Sequence, residues 1–227
     1  LKVAWRISVE PAADGEINMG RDLRLAPGEA RVYAWSAPSV SLGRFQRPEQ
    51  DLLPDAPVQV VRRPTGGRAV LHGHDVTIGL RAPMTWIGRR ALGREATPEE
   101  LARLGRSVRT AYRAVVGPIV VALRRSGAPV ALGEATRFAM TGPSRSADCF
   151  AHVAALDVVD DRTGAKVCGC ALRLDPESVL VQASVPVAPP LVDPYEVFAR
   201  PAAPSWVAIE PESLASALAD ALREAIE

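Results

Sequence analysis

Apolar positions recur with two different periods along this chain of 227 residues, and the switches between them predict its elements. Residues 31–35 and 58–62 are short β-branched or aromatic runs bounded by proline and read as strands; residues 68–81, with Val70, Val76 and Ile78, read as a further strand region. The clearest helix opens at Thr97-Pro98-Glu99-Glu100, an N-cap followed by a first-turn proline and a capping-box glutamate. Leu101, Leu104, Val108, Ala111, Tyr112 and Val115 follow at helical spacing. Gly117-Pro118 is expected to kink or break this helix, with 119–125 continuing to Gly127 as terminator. Residues 153–160 and 165–174 read as a β-hairpin turning at 161–164, residues 179–185 as a last strand, and 212–226 as an amphipathic helix. Strands before and after a long helix, without regular strand–helix alternation, predict an α+β fold. A mixed or antiparallel sheet flanked by helices is expected, as one domain over residues 1–227.

Composition narrows the classes. With 48% of residues hydrophobic, the chain can bury a substantial core, yet no apolar run approaches the ~20 residues of a spanning helix. Residues 1–10 carry no apolar leader-like run, and three cysteines argue against a disulfide framework; both point to a cytoplasmic protein. The net charge of +1 conceals an uneven distribution, because residues 60–125 hold 13 Arg against 4 acids. That asymmetry suggests an acidic partner, or a set of solvated helix faces. Of the 27 basic residues only Lys2 and Lys166 are lysine, and an interior lysine in an arginine background suggests a role that a compact ammonium alone can fill.

Three places carry candidate chemistry. Between two expected strands lies Arg62-Arg63-Pro64-Thr65-Gly66-Gly67-Arg68-Ala69-Val70-Leu71-His72, where paired glycines let backbone N–H groups approach a ligand and arginines supply fixed charge. It is not a phosphate-binding Gly-Lys-Ser/Thr loop, and read alone it is equally a plain turn. Cys149, in Asp148-Cys149-Phe150 at the mouth of the hairpin, is either a nucleophile or a small buried hydrophobe. On the return strand, alternation places Lys166, Cys168 and Cys170 on one face. Cys-x-Cys with His72 or His74 lacks the second ligand pair of a zinc site, so the two cysteines are read as small residues under a ligand and no metal is expected. His152 is read as structural or exposed. No nucleic-acid stacking motif stands out, and no Ser-His-Asp order is evident.

Together these segments resemble the superfamily of lipoate- and biotin-protein ligases and octanoyltransferases. The resemblance runs from Asn18-Met19 through residues 33–46 and the Arg62–His72 segment, whose family form is Arg-Arg-x-Ser/Thr-Gly-Gly-Gly/Arg-Ala-Val-x-His, to Cys149-Phe150 and Lys166-Val167-x-Gly169-x-Ala171. It implies a catalytic domain like those of biotin-protein ligases and class II aminoacyl-tRNA synthetases. Arg68 after the paired glycines, and Cys149 directly before Phe150, are similar to the cysteine-dependent octanoyltransferases. Such an enzyme takes an octanoyl or lipoyl group from acyl carrier protein onto a cysteine, then passes it to a lysine of a lipoyl domain such as glycine cleavage H protein. No cofactor is then required. The alternatives are a lipoate-protein ligase using ATP and Mg to form lipoyl-adenylate, and a non-catalytic lipoate- or biotin-binding protein.

The resemblance implies Cys149 as nucleophile and Lys166 as holder of the acyl carbonyl. Arg63, Thr65, Gly66, Gly67, Arg68, Ala69, His72, Gly169 and Ala171 are then expected to bind substrate, with the apolar chain running between sheet and helix. Two departures stand out: His72-Gly73 replaces the family's His-Asp, with Asp75 two residues later, and Gln182-Ala183-Ser184 stands where His-Gly-Ser is expected.

Overall fold

The computed structural model describes residues 4–138 and 145–225; Lys2 and Ile226, the end of the expected terminal helix, lie outside them. In chain order its elements are β1 (Arg6–Val9), α1 (Gly15–Leu23), β2 (Glu29–Tyr33), β3 (Ser39–Leu42), α2 (Pro48–Asp51), β4 (Gln59–Arg62), β5 (Val70–His72), β6 (Asp75–Pro83), α3 (Met84–Leu92), α4 (Pro98–Leu104), α5 (Val108–Arg125), β7 (Val130–Leu132), β8 (Val158–Asp160), β9 (Lys166–Leu174), β10 (Ser178–Pro186) and α6 (Pro211–Glu224). Seven strands form one sheet in the order β1-β2-β6-β10-β9-β8-β7. Only β1 and β2 pair in parallel there, so the sheet is mixed, as the α+β reading expects.

Alternation along the central strands assigns its two faces. Val32, Ile78 and Ala183 stand in one row, and Ala30, Leu80 and Val181 in another; both are buried in the largest core cluster, with residues of α3, α5 and α6. Tyr33, Thr77, Ser184 and Gly169 form a row on the opposite face, and Arg31, Gly79, Gln182 and Ala171 the next. That face meets α1 and a second sheet, β4-β3-β5, in which β4 and β5 fall within the expected strand regions 58–62 and 68–81 and β3 is an addition.

Four expectations are corrected. The strand region over 68–81 is two strands in different sheets, with the chain turning at Gly73-His74. The helix beginning at Thr97 does have its full capping box, but it ends at Leu104; Ser107 caps a new helix by accepting from the Thr110 N–H at 3.3 Å. Pro118 lies inside α5 without ending it, since the adjacent Gly117 has no Cβ for the proline ring to crowd. The first arm of the hairpin is only Val158–Asp160, because Cys149–Ala151 form a 3₁₀ turn and 153–157 an irregular approach. Helix α3 is an addition, formed where Met84, Trp86 and Ile87 turn inward directly after β6.

Candidate active site

Cys149 is the first residue of the 3₁₀ turn. The Asp148 carboxylate caps that turn by accepting from the Phe150 N–H at 2.9 Å and also accepts from the Ala202 N–H at 2.8 Å. The Cys149 N–H donates to the Ala69 carbonyl at 2.8 Å, tying the turn to the start of β5. Burial pushes the Cys170 thiol up to about 12, reinforced by the Asp157 charge, and pushes the Cys168 thiol well above its ordinary value. Both remain protonated thiols at neutral pH; Cys149 and Cys170 are half-buried and line a cavity, and Cys168 is buried.

Lys166 approaches from β9. Its Nζ lies 3.5 Å from Cys149 Sγ, 3.4 Å from the His152 carbonyl and 3.1 Å from Asp157 Oδ2, one partner for each ammonium hydrogen. Asp157 is itself held by the Ala154 N–H and the Tyr112 hydroxyl, at 2.8 and 3.4 Å. Burial opposes the ammonium, but the Cys149 sulfur and the Asp157 carboxylate outweigh it, and the Lys166 pKa is raised.

A β-bulge brings the lysine here. Val158 pairs with Cys168 and Val159 with Lys166, so β9 carries one extra residue, Val167, against β8. Val167 and Cys168 both enter the helix-side core, and Cys170 packs against it. Gly169 and Ala171 share the row of Ser184 and Gln182 on the other face, and Lys166 reaches Cys149 there. This overturns the expectation that Lys166, Cys168 and Cys170 share one face. Among the described residues, no three His, Cys, Asp or Glu side chains converge as metal ligands.

Two cavities meet at this pair. A narrow one of about 40 Å³ lies between the two sheets, lined by Met19, Trp35, Val70, Cys149, Ala171 and Gln182 among others. A wider one of about 250 Å³ lies beyond Lys166 and Phe150, walled by Pro186, Pro190, Pro194, Phe198 and Pro204.

The residues expected to bind substrate divide. Arg63, Gly67, His72, Gly169 and Ala171 line the inter-sheet cavity; Thr65, Gly66, Arg68 and Ala69 do not. Thr65 donates instead to Gln182 Oε1 at 2.8 Å, the Ala69 side chain packs in the small sheet's core, and the Arg68 carbonyl accepts from Arg63 Nη2 at 2.5 Å. Arg63 also donates to the Gly66 and Ser41 carbonyls, both at 2.7 Å, and desolvation pushes its pKa down to about 10. Gly67 takes a φ of +84°, and the loop rests on Gly43, where a Cβ would sit 2.0 Å from the Gly67 carbonyl oxygen. Gly43→Ala is therefore expected to shift the loop and to cost about 1–3 kcal/mol in a urea melt. A melt unchanged from wild type would mean that this backbone contact yields freely.

The two departures resolve into one network. Asp75 Oδ2 accepts from His72 Nδ1 at 2.7 Å, Ser184 at 2.6 Å and Thr77 at 3.0 Å, and Oδ1 accepts from the Gly73 N–H at 3.2 Å. Burial alone would raise the Asp75 pKa, but the His72 ring and the Ser184 hydroxyl hold it below the usual carboxylate range. His72 stacks on Trp35 at 3.8 Å and meets Ser41 at 2.8 Å. Gln182 donates to Asp22 at 2.6 Å, within a buried cluster where Asp22 also accepts from Arg31 and Tyr33, both at 2.7 Å. Sequence reasoning missed Asp157, Asp22 and Arg31; the trace of Asp157 and Arg31 is a charged residue inside a predicted strand, and Asp22, on α1, left none.

The arginine excess of residues 60–125 does not gather over this site. Arg81, Arg89, Arg94, Arg113 and Arg125 pair with Asp175, Glu95, Glu100, Glu134 and Glu224, and all but Arg81 belong to the helical layer on the other face of the large sheet.

Residues 21–82 match the lipoyl protein ligase A/B catalytic domain. Octanoyltransferase LipM of Exiguobacterium sp. is 32% identical over 192 residues, covering 79% of this chain and 63% of the relative. LipM of Kyrpidia tusciae is 29% identical over 195 residues, covering 83% and 64%. The chain thus spans just under two thirds of the length of these curated relatives. A chain of the bi-partite lipoate protein ligase of Thermoplasma acidophilum shares the fold, with a TM-score of 0.64 at 17% identity over 99% of this chain and 84% of that one. Lipoate-protein ligase A bound with ATP gives 0.62 at 18% identity, over 98% and 85%. The chain is thus similar to the lipoyl protein ligase A/B catalytic domain over residues 21–82 and to LipM octanoyltransferases over most of its length. Among the described residues, no helix is long and apolar enough to cross a membrane.

Proposed function

We propose that this chain is the catalytic domain of a cytoplasmic octanoyltransferase that moves the acyl group from acyl carrier protein, through a thioester on Cys149, to a lysine of a lipoyl domain. The observation that carries the reading is the Cys149–Lys166 pair, 3.5 Å apart where the two cavities meet. The Cys149 sulfur attacks the donor's thioester carbonyl, a new C–S bond forms, and the donor's C–S bond breaks with its thiolate taking up a proton. One thioester replaces another at little energetic cost. Lys166 supplies positive charge where the carbonyl oxygen gains electrons, and Asp157 with the His152 carbonyl keeps it from swinging away. In the second step the acceptor amine attacks the acyl-enzyme, an amide forms, and the Cys149 sulfur leaves. Gly169 permits the approach, since a Cβ there would lie 3.2 Å from Cys149 Sγ.

The reading calls for no nucleotide. Incubation with octanoyl-acyl carrier protein, without ATP or Mg, is expected to add one octanoyl mass that hydroxylamine removes, and then to label an added lipoyl domain. Product that forms only from free octanoate or lipoate with ATP would replace this reading with the ligase.

A further inference from the structure

We infer that the wider cavity is the seat of the donor's pantetheine arm, and that His74 hydrogen-bonds one of that arm's amides. The inference rests on the transferase reading. It follows from where the two cavities lie: if the acyl chain enters between the sheets, the other half of the thioester must extend past Lys166 and Phe150. The 250 Å³ cavity lies there.

Its wall suits a slender, mostly apolar chain bearing a few amides. Four prolines contribute no N–H, and Leu71, Phe150, Val153, Phe198, Ala202 and Ala203 supply the remaining apolar surface. Of the titratable side chains lining it, Asp148 is committed to two backbone N–H groups and Lys166 to its three partners. His74 differs. Its Nδ1 is buried and meets no hydrogen-bond partner among the described residues, a costly state for a group lining a cavity. The backbone that carries the ring is also fixed, because the His74 carbonyl accepts from the Val187 and Ala188 N–H groups at 2.9 and 3.2 Å, fastening the proline-rich wall to the turn before β6. Burial lowers the His74 pKa, so at neutral pH the ring is uncharged and can accept from an amide N–H or donate to an amide carbonyl. A nucleoside polyphosphate fits this wall poorly, since Lys166 is the one Lys or Arg side chain that lines it among the described residues.

The test compares two donors by the rate at which Cys149 gains octanoyl mass: octanoyl-pantetheine, and the octanoyl thioester of 2-mercaptoethanol, which has no amide. Wild type is expected to prefer the pantetheine donor by about ten-fold or more, the scale of one hydrogen bond to a buried group plus apolar contact. His74→Phe should collapse that ratio toward one, and His74→Gln, which keeps a donor and an acceptor, should restore part of it. Matched thermal melts establish that both variants fold. Equal rates from the two donors in wild type, or a ratio unmoved by His74→Phe, would overturn the arm site while leaving the transferase intact. Failure of both donors and of octanoyl-acyl carrier protein to label Cys149 would overturn the transferase reading itself.

Discussion

Cys149→Ala is expected to lose acyl transfer by at least ~10³-fold and to accumulate no acyl-enzyme, the scale for removing a covalent nucleophile. The effect should be on chemistry and not on folding. Cys149 holds its turn through its backbone N–H to Ala69, and Asp148 supplies the cap; both survive loss of the sulfur. The melting temperature should therefore stay close to wild type. The neighbouring cysteines offer no rescue, since Cys168 and Cys170 face the helix-side core with their thiols held protonated. An octanoyl label that persists in Cys149→Ala and disappears only with Cys168→Ala or Cys170→Ala would sink this assignment.

The Lys166 variants separate charge from scaffold. Lys166→Arg should slow transfer by ~10²-fold or more, because a planar fork cannot occupy the position of a compact ammonium among three fixed partners. Lys166→Met should also lose stability, by ~3 kcal/mol or more, since the Asp157 carboxylate is then buried beside Tyr112 without its counter-charge. Adding Asp157→Asn to Lys166→Met should recover much of that stability and none of the activity. Near-wild-type transfer by Lys166→Arg, or activity that returns together with stability in the double variant, would reduce the lysine to a structural ion pair.

Local chemistry was legible in the sequence where one short segment settles it. Thr97 to Glu100 specify a helix start among themselves, and the capping box is present. The break three residues after Leu104 was not legible, because Val108 and Ala111 continue the apolar spacing across Gly105-Arg106-Ser107. The small sheet was legible only in part. Its β4 and β5 fall within expected strand regions, but β3 is four residues long, too short for alternation to register, and only pairing between distant segments gathers the three into a separate sheet. The site follows the same division. Cys149, Lys166 and the Arg62–His72 segment announce themselves by composition and resemblance. Asp75 joined to Ser184, and Thr65 joined to Gln182, lie 109 and 117 residues apart, and nothing within either segment names its partner.

The extra residue in β9 bears on how such a site is inherited. Lys166 and Gly169 are separated by an odd number of positions, a spacing that a regular strand cannot place on one side of a sheet. The spacing and the bulge are therefore a single trait: neither can change without the other if the lysine is to keep reaching the sulfur. Straightening the pairing with Val167 still present would turn the lysine stem into the core, whereas deleting Val167 would remove the extra residue and the odd spacing together and leave the lysine on the side of Gly169. A diverging lineage could thus lose that one codon and keep the lysine beside the sulfur, so the motif's spacing is free to vary where its geometry is not.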